Sequence, residues 1–328
     1  MTSTFSTDAD ERKPAAGNCA DVSGAPLPHW SAVFSAWMDG ASPALVSGLE
    51  PEDSDAADER VSIDELTRRV MVRRLSATSS HQVVPDEWDI EQLDAALADI
   101  ETRQRGGPAE IEETLQRART LDIDALHRTM RSCAANFDIG DFILLYALPL
   151  MRRMGDLWAA GDISVSAEHL VSTSLAAALQ PAAAHPPPST QPRLKMLVAT
   201  PYGELHELGA IAACRLAQSH GFEALYIGAQ LPVYEMARLA KVNGIRIIVL
   251  GGSMDAKDMA MQHLRQLAQV VDSGSIIFTG GSAYEEMDDQ RRVSVRHCRT
   301  MRHFCCQIET LAAIIRSVRE NVAPAALD

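Results

Sequence analysis

A carboxylate and an imidazole stand two residues apart in Glu204-x-His206-x-x-Gly209, just beyond a short β-rich run. A neutral imidazole is a good transition-metal ligand. A carboxylate at that separation can accept the other ring N–H, which fixes the tautomer and raises the basicity of the nitrogen left free. Ser253 and Gly280-Gly281 follow two later β-rich runs, so three loops carry the distinctive polar and glycine residues. A second imidazole and carboxylate lie upstream, where Trp158 is followed after nine residues by Glu168-His169.

The elements that must position these residues change period along the chain. Runs at 195–199, 224–228, 246–250 and 275–279 are β-rich, with helical patterns at about 205–220, 232–243 and 256–271 and a last helix at about 303–320. Strands alternating with helices form βαβ units, which predicts an α/β fold with a flavodoxin-like (Rossmann-like) parallel sheet over 194–322. Ligands of such sheets sit at the carboxyl ends of the strands, where the three loops lie. Upstream, helical spacing runs through 109–119, 122–136, 140–160 and 164–182, joined by short turns. Those segments predict a four-helix cap bundle over 108–182. Pro186 to Pro188 make 183–193 a semi-rigid linker. Residues 61–107 form an expected N-terminal helical region, opened by a Ser62–Glu65 capping box and closed by Gly106-Gly107-Pro108. The first sixty residues hold eleven acidic and three basic side chains, which predicts a largely disordered leader over 1–60. Within it, Trp30, Val33, Phe34 and Trp37 have the spacing of a short amphipathic helix able to dock on this chain or on a partner.

Taken with Ser253 and Gly280-Gly281, the Glu204-x-His206-x-x-Gly209 run resembles the DxHxxG signature of cobalamin-binding domains. The bundle resembles the cap module that precedes those domains, so the resemblance covers roughly 108–320. It implies that His206 replaces the cofactor's own benzimidazole as lower cobalt ligand, with Glu204 accepting the other ring N–H. The displaced nucleotide tail would enter the sheet cleft. Gly209, Gly280 and Gly281 would let main chain approach that tail, and Ser253 would hydrogen-bond it. Glu204 departs from the family's usual Asp by one methylene.

Trp158-x9-Glu168-His169 looks like the signature of light-sensing, adenosylcobalamin-dependent transcriptional regulators. By that resemblance Trp158 packs against the upper axial group and Glu168 contacts the adenosyl moiety. His169 takes the upper cobalt position after light breaks the cobalt–carbon bond, so the implied metal ligands are His206 and His169. The implied cofactor is adenosylcobalamin or another alkyl- or hydroxocobalamin. Light-sensing repressors of this kind carry a winged-helix module whose Arg-x-Trp-Glu run is not found here. The arrangement instead resembles cobalamin-binding antirepressors of photosynthesis genes in purple bacteria, which act through a partner repressor. A corrinoid methyl carrier of a methyltransferase system shares the tryptophan turn and a nearby Glu-His, and a haem-binding redox sensor uses the same fold. Both stand as alternatives, as does a scaffold that binds neither cofactor.

Composition narrows the classes further. The 328 residues are 46% hydrophobic and 23% charged, ordinary values for a globular chain of two or three units. No run approaches a membrane span. Thirty basic against 44 acidic residues give a net charge of -14, which disfavours direct DNA binding; the resemblance to the antirepressors implies a protein partner such as a transcription repressor. A homo-oligomer is compatible with this composition. Six cysteines without a CxxC pair suit a reducing cytoplasm. Arg68, Arg69, Arg73 and Arg74, and the later cluster Arg291, Arg292, Arg296, Arg299 and Arg302, read as solvated basic faces. Cys298, Cys305 and Cys306 read as buried, inert thiols. The expectation is a cytoplasmic sensor and not an enzyme.

Overall fold

The computed structural model describes residues 30–39, 41, 61–78, 85, 87–105, 107–179, 193–284 and 293–322. Most of the acidic leader, most of the proline linker and Arg291-Arg292 lie outside the described residues. Strands β1 (Lys195–Ala199), β2 (Glu223–Tyr226), β3 (Ile247–Gly251), β4 (Ile276–Gly280) and β5 (Ser294–Cys298) form one sheet in the order β2-β1-β3-β4-β5. Every neighbouring pair is parallel. This is the flavodoxin-like order, with its switch point between β1 and β3.

Alternate side chains serve opposite faces of the sheet. Leu197, Ile248 and Ile277 pack with α10 (Val233–Val242) and α11 (Lys257–Val270). Met196, Val198, Val249 and Phe278 pack with α9 (Leu208–Ser219) and α12 (Met301–Val322). The register sets Gly251 opposite Gly280 and Gly280 opposite Cys298. Three loops therefore leave the sheet side by side. Four of the strands follow the sequence-predicted runs to within a residue or two, and β5 is an addition.

The cap comprises α4 (Gly107–Arg119), α5 (Ile123–Asn136), a long third helix and α8 (Val165–Leu179). Asp122 caps α5 by accepting from the Ala125 amide at 3.1 Å. The third helix starts as α6 (Ile139–Asp141), widens into a π-helical stretch over Phe142–Ala147 and continues as α7 (Leu148–Ala159). Pro149 accounts for the widening, because it has no N–H to donate and its ring crowds the carbonyl four residues back. Within the wide stretch Phe142 and Tyr146 stack at 5.4 Å, and the Tyr146 hydroxyl meets Thr114 of α4 at 2.7 Å.

The N-terminal helices share the core of the cap and of the α9/α12 face of the sheet. In α1 (Trp30–Met38), Trp37 is buried edge-on to Phe278 and Trp30 donates to the Gly274 carbonyl at 2.7 Å. The amphipathic helix thus docks on this chain. Helices α2 (Ile63–Thr78) and α3 (Ile90–Arg105) lie against α12, and the Ser62 hydroxyl accepts from the Glu65 amide at 3.2 Å. Two readings of the basic residues need correction. Arg73 and Arg74 both reach Glu309, while Arg296, Arg299 and Arg302 reach Asp64, Glu91 and Asp94. Arg296, Arg299 and Arg302 thus grip acidic side chains of the chain's own N-terminal helices, Arg73 and Arg74 of α2 grip Glu309 of α12, and of these only Arg299 stays largely exposed. Arg68 and Arg69 pair with Glu65 within α2. Burial pushes the Cys298 and Cys306 thiols far above their usual range, so they are poor nucleophiles.

Two buried imidazoles make the fold acid-sensitive. Burial pulls His263 down to about 4; burial likewise takes His303 to about 4, against the opposing pull of Asp64. Between the ordinary value of 6.5 and about 4, only the unfolded chain takes up these protons. Stability is therefore intact above that window and falls as the pH drops through it, by on the order of 3 kcal/mol per imidazole. Urea unfolding at about pH 7 and about pH 4.5 checks this; equal midpoints would refute it.

Candidate functional site

The loop after β1 is held at both ends. The Thr200 hydroxyl donates to the Glu204 carbonyl at 2.8 Å and accepts from the Gln230 amide at 3.0 Å. The turn passes through Gly203 with φ at +89°, a region that favours glycine. Glu204 emerges only 1% exposed. Its Oε1 accepts from the His206 amide at 2.7 Å and from His206 Nδ1 at 2.8 Å, and its Oε2 accepts from the Ser253 amide at 2.5 Å. Burial alone would push the Glu204 carboxyl up, but the contacts with Ser253 and His206 outweigh it and hold the carboxyl below its usual range. The longer side chain thus reaches the imidazole as an aspartate would.

An ionised carboxylate only accepts, so Nδ1 of His206 carries the proton and Nε2 keeps a free lone pair. The His206 side chain is 70% exposed, which presents that nitrogen at the sheet edge. Glu204 also ties the β1 loop to the β3 loop. That cross-loop bond explains how one acidic residue can orient an imidazole without being exposed itself.

Beside His206 lies a cavity of about 380 Å³, with Gly209, Ser253, Gly280 and Gly281 in its wall. The structure thus brings together five of the residues singled out by sequence. The Ser253 hydroxyl is buried and lies close to Glu204 with a geometry that falls short of a hydrogen bond, so it has no partner among the described residues. Buried hydroxyls without partners are rare in folded proteins. A Cβ at Gly209 would meet nothing within 4 Å and would project into open space. Gly281 has φ at +90°, and a Cβ there would stand 2.1 Å from the Gly252 carbonyl oxygen. The bare main chain, the orphan hydroxyl and the free Nε2 all fit a bulky metal-bearing group with an elongated appendage. Among the described residues no three His, Cys, Asp or Glu side chains converge as a metal cage. A single imidazole suits a metal held in its own macrocycle.

Trp158, Glu168 and His169 are placed elsewhere and do not line this cavity. Trp158 is 54% exposed near the end of α7, at a turn closed by the Gly161 amide donating to its carbonyl at 3.0 Å. Glu168 and His169 occupy the first turn of α8, with His169 Nδ1 2.6 Å from Glu168 Oε2 and the imidazole 73% exposed. This pair repeats the His206–Glu204 arrangement on the cap. Sequence reasoning missed Leu148 and Arg152 of α7 as well as Thr300, Met301 and Phe304 in the cavity wall, and took Arg299 there for a solvated side chain. Only Arg299 left a signal, as part of the basic cluster. The others carry no motif: Leu148 and Arg152 reach the wall from the cap, and Thr300, Met301 and Phe304 from the turn into α12.

Residues 110–180, most of the cap, match the model of the B12 binding domain family. Over 138 residues the chain is 29% identical to the HTH-type transcriptional repressor CarH of Myxococcus xanthus, covering 41% of this chain and 45% of that protein. The chain spans about half the length of this curated relative. Among solved structures it is similar to the monomethylamine corrinoid protein of Methanosarcina barkeri, with 14% identity, a TM-score of 0.43 and coverage of 59% of this chain and 93% of that one. A cobalamin-binding protein from Desulfitobacterium hafniense DCB-2 aligns at 20% identity and a TM-score of 0.28, over 52% and 83% of the two chains. The chain sets a helical cap on a flavodoxin-like sheet and places a carboxylate-oriented histidine at the strand ends. The match over residues 110–180 supports cobalamin as the cofactor.

No helix among the described residues is long and apolar enough to cross a membrane.

Proposed function

We propose that the chain is a cobalamin-dependent photoreceptor that regulates transcription through a protein partner, without catalysing a reaction. The observation that carries this reading is the duplication of one device. His206 is oriented by Glu204 at the sheet edge, and His169 is oriented by Glu168 on the cap. One imidazole would serve the lower cobalt position and the other would stand ready for the upper one. Bound cobalamin supplies a cobalt whose upper bond is broken by light. In each pair the carboxylate holds Nδ1 and leaves Nε2 to ligate. Trp158 presents an exposed aromatic face at the turn into α8, suited to packing on the upper axial group. A partner protein is the proposed receiver, since a net charge of -14 repels a phosphate backbone. The 29% identity to a transcriptional repressor supports regulation over metabolism.

The test is the visible absorption of the full chain with adenosylcobalamin, in darkness and after green light. The expected result is a dark bound spectrum that converts to a stable product with two histidine ligands. His169→Ala should keep the dark spectrum and lose that product. An unchanged photoproduct in His169→Ala would sink the assignment of the upper ligand. Binding with no lasting light product would move the reading to a methyl carrier, for which His206 serves equally well.

A further inference from the structure

Helix α3 straddles the joint between cap and sheet domain, touching both the π-helical stretch and α12. Two of its acidic side chains, one turn apart, hold cations at that joint. Asp94 Oδ1 lies 3.5 Å from Arg302 Nη1, with the side chains only 13% and 7% exposed. Glu91 Oε2 lies 3.0 Å from Arg299 Nη1. Asp94 is also faced by the Thr300 hydroxyl and by Arg152 of α7. Arg152, Arg299 and Thr300 all line the cavity beside Ser253. Two of the three cations that face α3, Arg152 from the cap and Arg299 from the sheet domain, thus belong to the cavity wall, while Arg302 stands outside it.

The anchorage is poised. Burial pushes the Asp94 carboxyl up, and Arg302, Thr300 and Arg152 only partly offset it. Withdrawing one cation from a buried carboxylate costs more than breaking an exposed pair, because it leaves the charge uncompensated. The exposed Arg299–Glu91 pair contributes little by itself and can exchange partners readily.

We propose that α3 reads the occupancy of the cavity: an anionic phosphodiester in the cofactor's nucleotide tail competes with Glu91 and Asp94 for Arg299 and Arg152, and α3 leaves the joint as the tail enters. This rests on the cobalamin reading but not on the light response. Linkage requires the reverse effect as well. If filling the cavity releases α3, releasing α3 must tighten binding by the same factor.

Hydrogen exchange of residues 90–105 in the full chain tests it, with absorption reporting binding in the same samples. Cobalamin in darkness should speed exchange there by about tenfold or more. Cobinamide, a corrin without the nucleotide and its phosphodiester, should bind and leave exchange unchanged. The double variant Glu91→Gln with Asp94→Asn should exchange fast without cofactor and bind cobalamin about tenfold more tightly than the parent. Merely loosened packing would give the first of these effects without the second. Bound cobalamin with unchanged exchange overturns the proposal while sparing the cofactor reading, as does an equal response to cobinamide. If neither corrinoid binds, both readings fall together.

Discussion

Alanine in place of Gly281 is expected to destabilise the sheet domain. The main chain at this position has φ at +90°, where a side chain is strained, and the added Cβ would lie 2.1 Å from the Gly252 carbonyl oxygen. Backbone cannot swing aside as a side-chain tip would. Gly252 is itself fixed, donating to the Gly280 carbonyl at 3.0 Å and accepting from the Ala283 amide at 3.3 Å. A Cβ on Gly252 would already press on Ala283 and Tyr284 at 3.0 Å, so the loop has no slack in that direction. Strain of this kind costs on the order of 1–3 kcal/mol before the clash is counted. Gly280→Ala is the internal control, since its Cβ would meet only the Cys298 carbonyl at an ordinary 3.7 Å. Urea unfolding should therefore separate the two variants by about 3 kcal/mol, with Gly281→Ala the weaker. Equal midpoints would show that the loop rearranges freely and that the glycine is not required by the fold.

The same loop shows how much of the site could be read before the fold. Glu204, His206, Gly209, Ser253 and Gly280-Gly281 are legible because each stands just after an apolar β-rich run. A parallel sheet necessarily lines up the carboxyl ends of such runs. That Glu204 also bonds the Ser253 amide was not legible, because the bond spans two loops and depends on β1 lying beside β3. Strand β5 escaped because Ser294-Val-Arg-His-Cys298 lacks a continuous apolar run. It lies at the sheet edge, where Trp37 packs against Arg296 at 5.5 Å and Asp64 pairs with it at 2.8 Å. Helix α1 and helix α2 cover an edge strand whose polar residues conceal it in the sequence. The basic cluster was misread for the same reason: its acidic partners, Asp64, Glu91 and Asp94, are more than two hundred residues away in the chain. Long-range complementarity between two short charged patches leaves no local period to detect.

Removing the carboxyl of Glu204 should weaken cobalamin binding as strongly as a change can without touching the ligand itself. In the folded chain this carboxylate accepts three N–H bonds, from the His206 amide, His206 Nδ1 and the Ser253 amide. Glu204→Ala leaves the imidazole free to rotate and to take the other tautomer, which would put a proton on the ligating nitrogen. Loss of such an orienting partner typically lowers metal affinity by 10–100-fold. Glu204→Gln separates orientation from charge. Its amide oxygen can still accept from His206, but its NH₂ group would face the Ser253 N–H, donor against donor. An intermediate loss is expected for Gln, a larger one for Ala, and no histidine-ligated spectrum at all for His206→Ala. Titration of each variant with cobalamin, followed by absorption, gives the order. The sign of the acid response follows from the same bonds. Because contacts with Ser253 and His206 hold Glu204 below its ordinary 4.5, the carboxylate stabilises the folded loop at and above that pH, and the contribution is lost as the pH falls through the lowered value. Histidine ligation in the parent should therefore weaken more steeply on acidification than in Glu204→Gln, where no carboxylate remains to be protonated. Identical pH profiles for the two proteins would show that His206 is oriented by something other than the Glu204 charge.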